Sequence, residues 1–158
     1  MMITIDVPGY KTLNINNVVF DYNGTIAEDG ILIEGVIELI KELASKDVKV
    51  YVLTADTNGS VKHECSGLPV IVEIFSNNNA ILEKKKVIKR LGSNNTISFG
   101  NGRDDKEMFK SSVLSIGVIG REGCFSKSLI DADIIVNNII DGINLFLKPN
   151  RLKATLRN

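Results

Sequence analysis

The chain is short of the residues on which many active sites are built. It has one histidine, His63, so a histidine-based triad or a zinc cage would have to rest on that residue alone; His63 is expected at the surface. The two cysteines, Cys65 and Cys124, are far apart and form no CxxC pair. That argues against a disulfide scaffold or zinc site and fits a reducing compartment, with both thiols as small buried hydrophobes. Neither sign of charge is in excess, since 19 Lys and Arg offset 19 Asp and Glu. No global field therefore draws the chain onto nucleic acid or an anionic membrane. No apolar run approaches the roughly 20 residues of a membrane helix, and Met1–Asp6 lacks the basic and apolar regions of a signal peptide. A cytoplasmic, non-membrane protein is expected. The sequence also contains no GxxxxGK[ST], and its first strong strand is not followed by GxGxxG. This weakens a reading as an unrelated nucleotide-binding fold.

What is present reads as one domain spanning residues 1–158. With 44% hydrophobic and 24% charged residues, the composition is that of an ordinary globular core. Strand-like and helix-like segments alternate: a weak strand at Leu13–Ile15, a strand at Val18–Asp21, a helix over Glu34–Ser45 and a β-branched strand at Val48–Thr54. A short helix over Thr57–Ser66, a strand at Val70–Phe75, a helix over Asn79–Leu91 and a strand at Thr96–Phe99 follow. A short helix from about Asp104, a strand at Leu114–Val118, a helix over Phe125–Asp131, a strand at Ile134–Val136 and a helix over Ile139–Leu147 complete the series. Pro149 is expected to end the last helix. Residues 150–158 read as a polar, basic tail, flexible or docked on a partner. This alternation predicts a three-layer α/β/α, doubly wound, mainly parallel sheet.

Ligands of such sheets bind outside the carboxyl ends of the strands, where strand order reverses. Four polar groups follow strands: Asp21 with Asn23–Thr25, Thr54 with Asp56, Ser76–Asn79, and Gly100–Asp105. Asp21 is delivered by an apolar strand into a turn that Gly24 permits, and successive N–H groups of such a turn can cradle an anion. Taken alone, Asp-x-Asn-Gly is also an ordinary turn. Thr54 can bond a phosphoryl oxygen or cap a helix. In the lysine run, helical phase separates the members. Lys84 falls near the centre of the apolar arc of Ala80, Ile81, Val87, Ile88 and Leu91, whereas Lys85, Lys86 and Lys89 fall outside it. A core-facing lysine must snorkel or meet a buried anion. Asp104 and Asp105 can favour a helix N-terminus, or they can join Asp21 around a cation. Oxygen donors without histidine point to magnesium.

In this order and at these strand ends, the four segments resemble the haloacid dehalogenase (HAD) superfamily of phosphoryl-transfer enzymes, over about Val18 to Val136. Asp21-Tyr22-Asn23-Gly24-Thr25 matches the first motif, Thr54 the second, Lys84 the third, and Gly100-Asn101-Gly102-Arg103-Asp104-Asp105 the acidic fourth. Leu-Thr-Ala-Asp and Gly-Asn-Gly-Arg-Asp-Asp look like soluble relatives of the P-type ATPase phosphorylation domain. The resemblance implies a magnesium-dependent phosphatase with Asp21 as nucleophile and with Asn23, Thr54 and Lys84 also at the catalytic centre. It implies substrate contacts from Gly24, Thr25, Thr54, Ala55, Lys84 and Asn101, and metal contacts from Asp21, Asn23, Asn101, Asp104 and Asp105.

Two departures stand out. Asn23 replaces the usual acid/base aspartate and Asn101 the early acid of the fourth motif. They imply slow turnover, or alternatively a phosphate-responsive binding or regulatory module. No stretch before Thr54, or between it and Lys84, is long enough for a cap domain. The expected substrate is a phosphorylated small molecule or phosphoprotein, and the uncapped site is closed by a large substrate or by homo-oligomerisation, or it stays open to water.

Overall fold

The computed structural model describes residues 2–76 and 78–158. Its strands and helices, in chain order, are β1 (Ile3–Val7), β2 (Lys11–Ile15), β3 (Asn17–Asp21), β4 (Ala27–Glu28), β5 (Ile31–Leu32), α1 (Val36–Ser45), β6 (Lys49–Thr54), α2 (Val61–Glu64) and β7 (Val70–Ile74). They continue with α3 (Ala80–Leu91), β8 (Thr96–Gly100), α4 (Lys106–Ser111), β9 (Leu114–Val118), α5 (Ser126–Leu129), β10 (Ile134–Val136), α6 (Ile139–Leu147) and α7 (Pro149–Leu156). Six strands form one parallel sheet in the order β10-β9-β8-β3-β6-β7. The chain runs outward from β3 through β6 to β7, then returns to the other side of β3 at β8. Strand order thus reverses beside β3, with Asp21 at its carboxyl end.

Period-two alternation divides the sheet between two helical layers. Val18, Phe20, Val50 and Val52 face a large apolar layer with Val36, Ile40 and Leu43 of α1 and Ile139, Ile143 and Phe146 of α6. Phe99 stacks within it against Phe20 at 4.9 Å and meets Phe146 edge-on at 5.8 Å. Val19, Tyr51 and Leu53 face the other way, toward Val87 and Ile88 of α3 and Met108 and Phe109 of α4. Asp21 shares the parity of Val19, so its carboxylate emerges on the side of α3 and α4.

Several elements differ from the sequence expectation. The alternation Ile3-Ile5-Val7 forms an antiparallel hairpin with β2, a strand the sequence reading missed. Helix α2 is limited to Val61–Glu64 because Asp56 and Gly59 both adopt left-handed backbone, with φ of 53° and 69°. Asp56 Oδ1 instead accepts from the N–H of Val61 at 3.2 Å. The expected polar tail is helix α7: Pro149 opens it at a position where a missing N–H costs nothing. Leu152 is fully buried, and Asn158 N–H donates to Pro8 O at 3.0 Å. Between Asp21 and α1 the insertion is the small β4–β5 hairpin, and no cap domain is formed among the described residues. No helix among the described residues is long and apolar enough to cross a membrane.

Candidate active site

The helical phase of α3 brings Lys84 under the sheet, where its side chain is wholly buried. Its ammonium donates to Asp21 Oδ1 at 2.9 Å, to Asp105 Oδ1 at 2.8 Å and to Asp104 Oδ2 at 3.0 Å. Three carboxylates from two strand ends therefore share one cation, and an oxygen of each lies within 4.8 Å of the others. Lys85, Lys86 and Lys89 stay outside this group, as the phase argument requires.

The two aspartates of the fourth segment have different surroundings. Asp105 is fully buried, and its second oxygen accepts from the N–H groups of Asn101 and Gly102 at 3.0 and 2.9 Å. Gly100 allows that fold-back, since a Cβ there would collide with the Asp105 carboxylate. Asp104, with 35% of its side chain exposed, faces the cleft. The first turn docks on this segment. Gly24 has φ +81° and packs on the Asn101 carboxamide, leaving no space for a side chain. The Thr25 hydroxyl lies 3.2 Å from both Asp21 Oδ2 and Asn101 Oδ1 and can donate to either.

The electrostatics follow from counting charges. One lysine cannot neutralise three carboxylates, two of them buried. Burial, followed by the Asp105 carboxylate, pushes the Asp21 pKa up to about 7 against the opposing pull of Lys84. Asp105 is raised for the same primary reason, burial. For Lys84 the surrounding carboxylates outweigh desolvation, and the ammonium is held well above its ordinary value. Neither thiol competes as a nucleophile, because burial raises Cys65 to about 11 and also raises Cys124. His63 is exposed, as expected.

The remaining expected residues surround this centre. Thr54 is buried at the end of β6, one residue beyond Leu53, which pairs with Asp21; its hydroxyl accepts from the Asp56 N–H at 2.8 Å. Ala55 lines a cleft with Asp104, and Asn78 and Asn79 line it too. Asn77, in the same polar group, lies outside the described residues. Asn23 does not join the carboxylates through a hydrogen bond; its Oδ1 accepts from Asn58 Nδ2 at 2.9 Å. Sequence reasoning missed the residues that tie down the β4–β5 hairpin. Tyr22 Oη and Ser60 Oγ both donate to Gly30 O, at 2.7 and 2.6 Å, while Glu64 and Glu122 accept from the N–H groups of Leu32 and Asp29. The contacts of Ser60, Glu64 and Glu122 join segments too far apart in sequence for any local pattern to reveal.

Solved structures share this fold. A HAD family hydrolase of Streptomyces avermitilis, described as putative, superposes with a TM-score of 0.67 at 19% identity, covering 86% of this chain and 87% of that one. The 3-deoxy-D-manno-octulosonate 8-phosphate phosphatase of Moraxella catarrhalis, solved with magnesium, phosphate and a KDO molecule, gives 0.68 at 14% identity, covering 90% and 94%. The fold is the HAD fold. No protein-family model matches the chain. At the level of sequence, the chain belongs to the family of an uncharacterized protein of Methanocaldococcus jannaschii, with 41% identity over 81 residues, 49% of this chain and 87% of that one.

Proposed function

We propose that this chain is a magnesium-dependent phosphomonoester hydrolase that works through an aspartyl-phosphate on Asp21. The observation that carries the reading is the convergence of Asp21, Asp104 and Asp105 on the buried Lys84 ammonium, beside the reversal of strand order. The HAD fold supports it, as does the phosphatase activity named for the Moraxella protein.

The donor set fits magnesium. It consists of oxygens only, and three carboxylates against one ammonium leave an excess negative charge that a divalent cation balances. Asp21 and Asp104 would hold the ion, with the Asn23 carbonyl and the Asn101 carboxamide oxygen. Asp105, fully buried and tied down by the backbone N–H groups of Asn101 and Gly102, braces the site. When bound, the ion supplies positive charge against Asp21 and the phosphoryl oxygens.

The chain's own residues then do the following. The Asp21 carboxylate attacks phosphorus in line, an Asp21–phosphorus bond forms, and the bond to the leaving oxygen breaks. Lys84 and the Thr54 hydroxyl hold phosphoryl oxygens, together with the turn at Gly24, Thr25 and Ala55 and the side chain of Asn101. Water next attacks phosphorus, and the bond to Asp21 breaks. Asn23 cannot move a proton in either step, so solvent supplies and removes protons. General acid–base help is worth about 10²–10⁴-fold, and its loss makes turnover slow and the phospho-enzyme long-lived. The substrate is a phosphorylated molecule met in the cytoplasm, and a second subunit can shelter the open site.

The test is magnesium-dependent release of phosphate from p-nitrophenyl phosphate, expected to vanish in Asp21→Asn. Release that persists in that variant refutes the nucleophile. A second reading, a regulatory module that binds phosphate without turning over, is favoured by the Asn23–Asn58 bond, which occupies the acid/base position with a structural contact. It predicts phosphate binding without release.

A further inference from the structure

Arg103 stands beside the carboxylates without joining them. It is exposed, and among the described residues no carboxylate lies within ion-pair distance of its guanidinium. It lines two clefts at once. One, of about 610 Å³, reaches the reaction centre through Ala55, Thr57 and Asp104. The other, of about 470 Å³, is walled by Ile81, Arg103, Lys106, Glu107, Phe125 and Lys127. Ile81 also lines both clefts, so the two adjoin at the Ile81–Arg103 wall.

The second cleft carries uncompensated positive charge. Its one acid, Glu107, is engaged by Lys85 and Lys110, each at 3.8 Å, which leaves Arg103, Lys106 and Lys127 facing the space. Phe125 and Ile81, 38% and 36% exposed, give it an apolar floor. The cleft on the other side of the first turn is different. That cavity, of about 350 Å³ beside Gly24 and Thr25, contains Arg121 and Glu28, which pair with each other at 3.7 Å. Charge therefore distinguishes the two approaches, and only the Arg103 side is left electrically unsatisfied. Its volume is that of a metabolite site.

We propose that the substrate is a small phosphomonoester whose leaving group carries a second anionic group, a carboxylate or phosphate, held by Arg103 with Lys127 and Lys106. This deepens the phosphatase reading and rests on it. Arg103 is thereby a specificity-determining residue: its planar fork suits carboxylate and phosphate alike.

The experiment compares kcat/KM, with magnesium, within matched pairs that differ by one anionic group. Glycerol 3-phosphate is set against 3-phosphoglycerate and fructose 6-phosphate against fructose 1,6-bisphosphate, with a phosphoserine peptide and p-nitrophenyl phosphate alongside. The two pairs separate carboxylate from phosphate as the preferred group. The protein is expected to favour the doubly anionic member of at least one pair by roughly tenfold, mainly through KM. Arg103→Gln should remove most of that preference, Lys127→Gln less, and Arg103→Lys should restore part of it. Equal rates within both pairs overturn the subsite, as does an Arg103→Gln loss that is the same for both members. Preferential turnover of the phosphopeptide overturns it in favour of a macromolecular substrate. Turnover of nothing, p-nitrophenyl phosphate included, overturns the phosphatase reading and the subsite with it.

Discussion

The two faces of the central sheet are built for different ends. Toward α1 and α6 the strands present an almost purely apolar surface, with Phe20, Phe99 and Phe146 at its centre. Toward α3 and α4 the apolar cluster has, among the described residues, seven buried members, and beside it the fold holds a buried ammonium among three carboxylates. On the first face, burial of apolar area stabilises the fold. On the second, burial works against the charged forms, and Lys84 limits the damage. The lesson is that the strand alternation which holds this molecule together also points Asp21, a buried carboxylate, toward the layer that can answer it.

Removing Lys84 should have the largest effect on this contrast. Lys84→Met leaves the carboxylates without a cation and should cost about 3–5 kcal/mol, measured by urea unfolding without metal. Magnesium should return part of that loss, and turnover should not recover. Leu152→Ala, on the apolar side, should cost about 2–5 kcal/mol without changing kcat per folded molecule, which separates the two faces. A smaller loss there would show α7 to be peripheral to the core. Asn23→Asp should raise kcat by about 10²–10⁴-fold if the missing acid/base is what limits turnover; a flat rate would move the deficit to the metal ligands.

The smallest effect is in the pH dependence. In the metal-free protein the Asp21 pKa is raised from 3.8 to about 7. The folded state therefore holds this proton longer than the unfolded chain does. The stability that comes with it is full below about pH 4 and is lost as pH rises through about 7. Unfolding in EDTA should thus be easier at about pH 8 than at about pH 5, and Asp21→Asn should flatten the difference.

Much of this was legible because it obeys local periodicities. The continuous β-branched run at Val48–Thr54 identified a doubly covered strand, and a 100° helical phase singled out Lys84 from its neighbours. The same phase placed Ile81 on the core stripe, yet Ile81 is 36% exposed, because the first turn of α3 faces the cleft. Asp104 and Asp105 were indistinguishable as an adjacent pair. What separates them is the backbone fold-back permitted by Gly100, a tertiary fact. Pro149 was read as a stop although it serves equally as a start, and that hid α7. The hairpin clips from Ser60, Glu64 and Glu122 needed the fold itself.

The central claim is that Asp21 takes up the phosphoryl group, and the most direct measurement is trapping with beryllofluoride and magnesium. The account predicts a fluorine NMR signature of a bound adduct in the wild type, lost in Asp21→Asn and lost when magnesium is withheld. An adduct that survives in Asp21→Asn, or none in a folded wild type that binds magnesium, would contradict it.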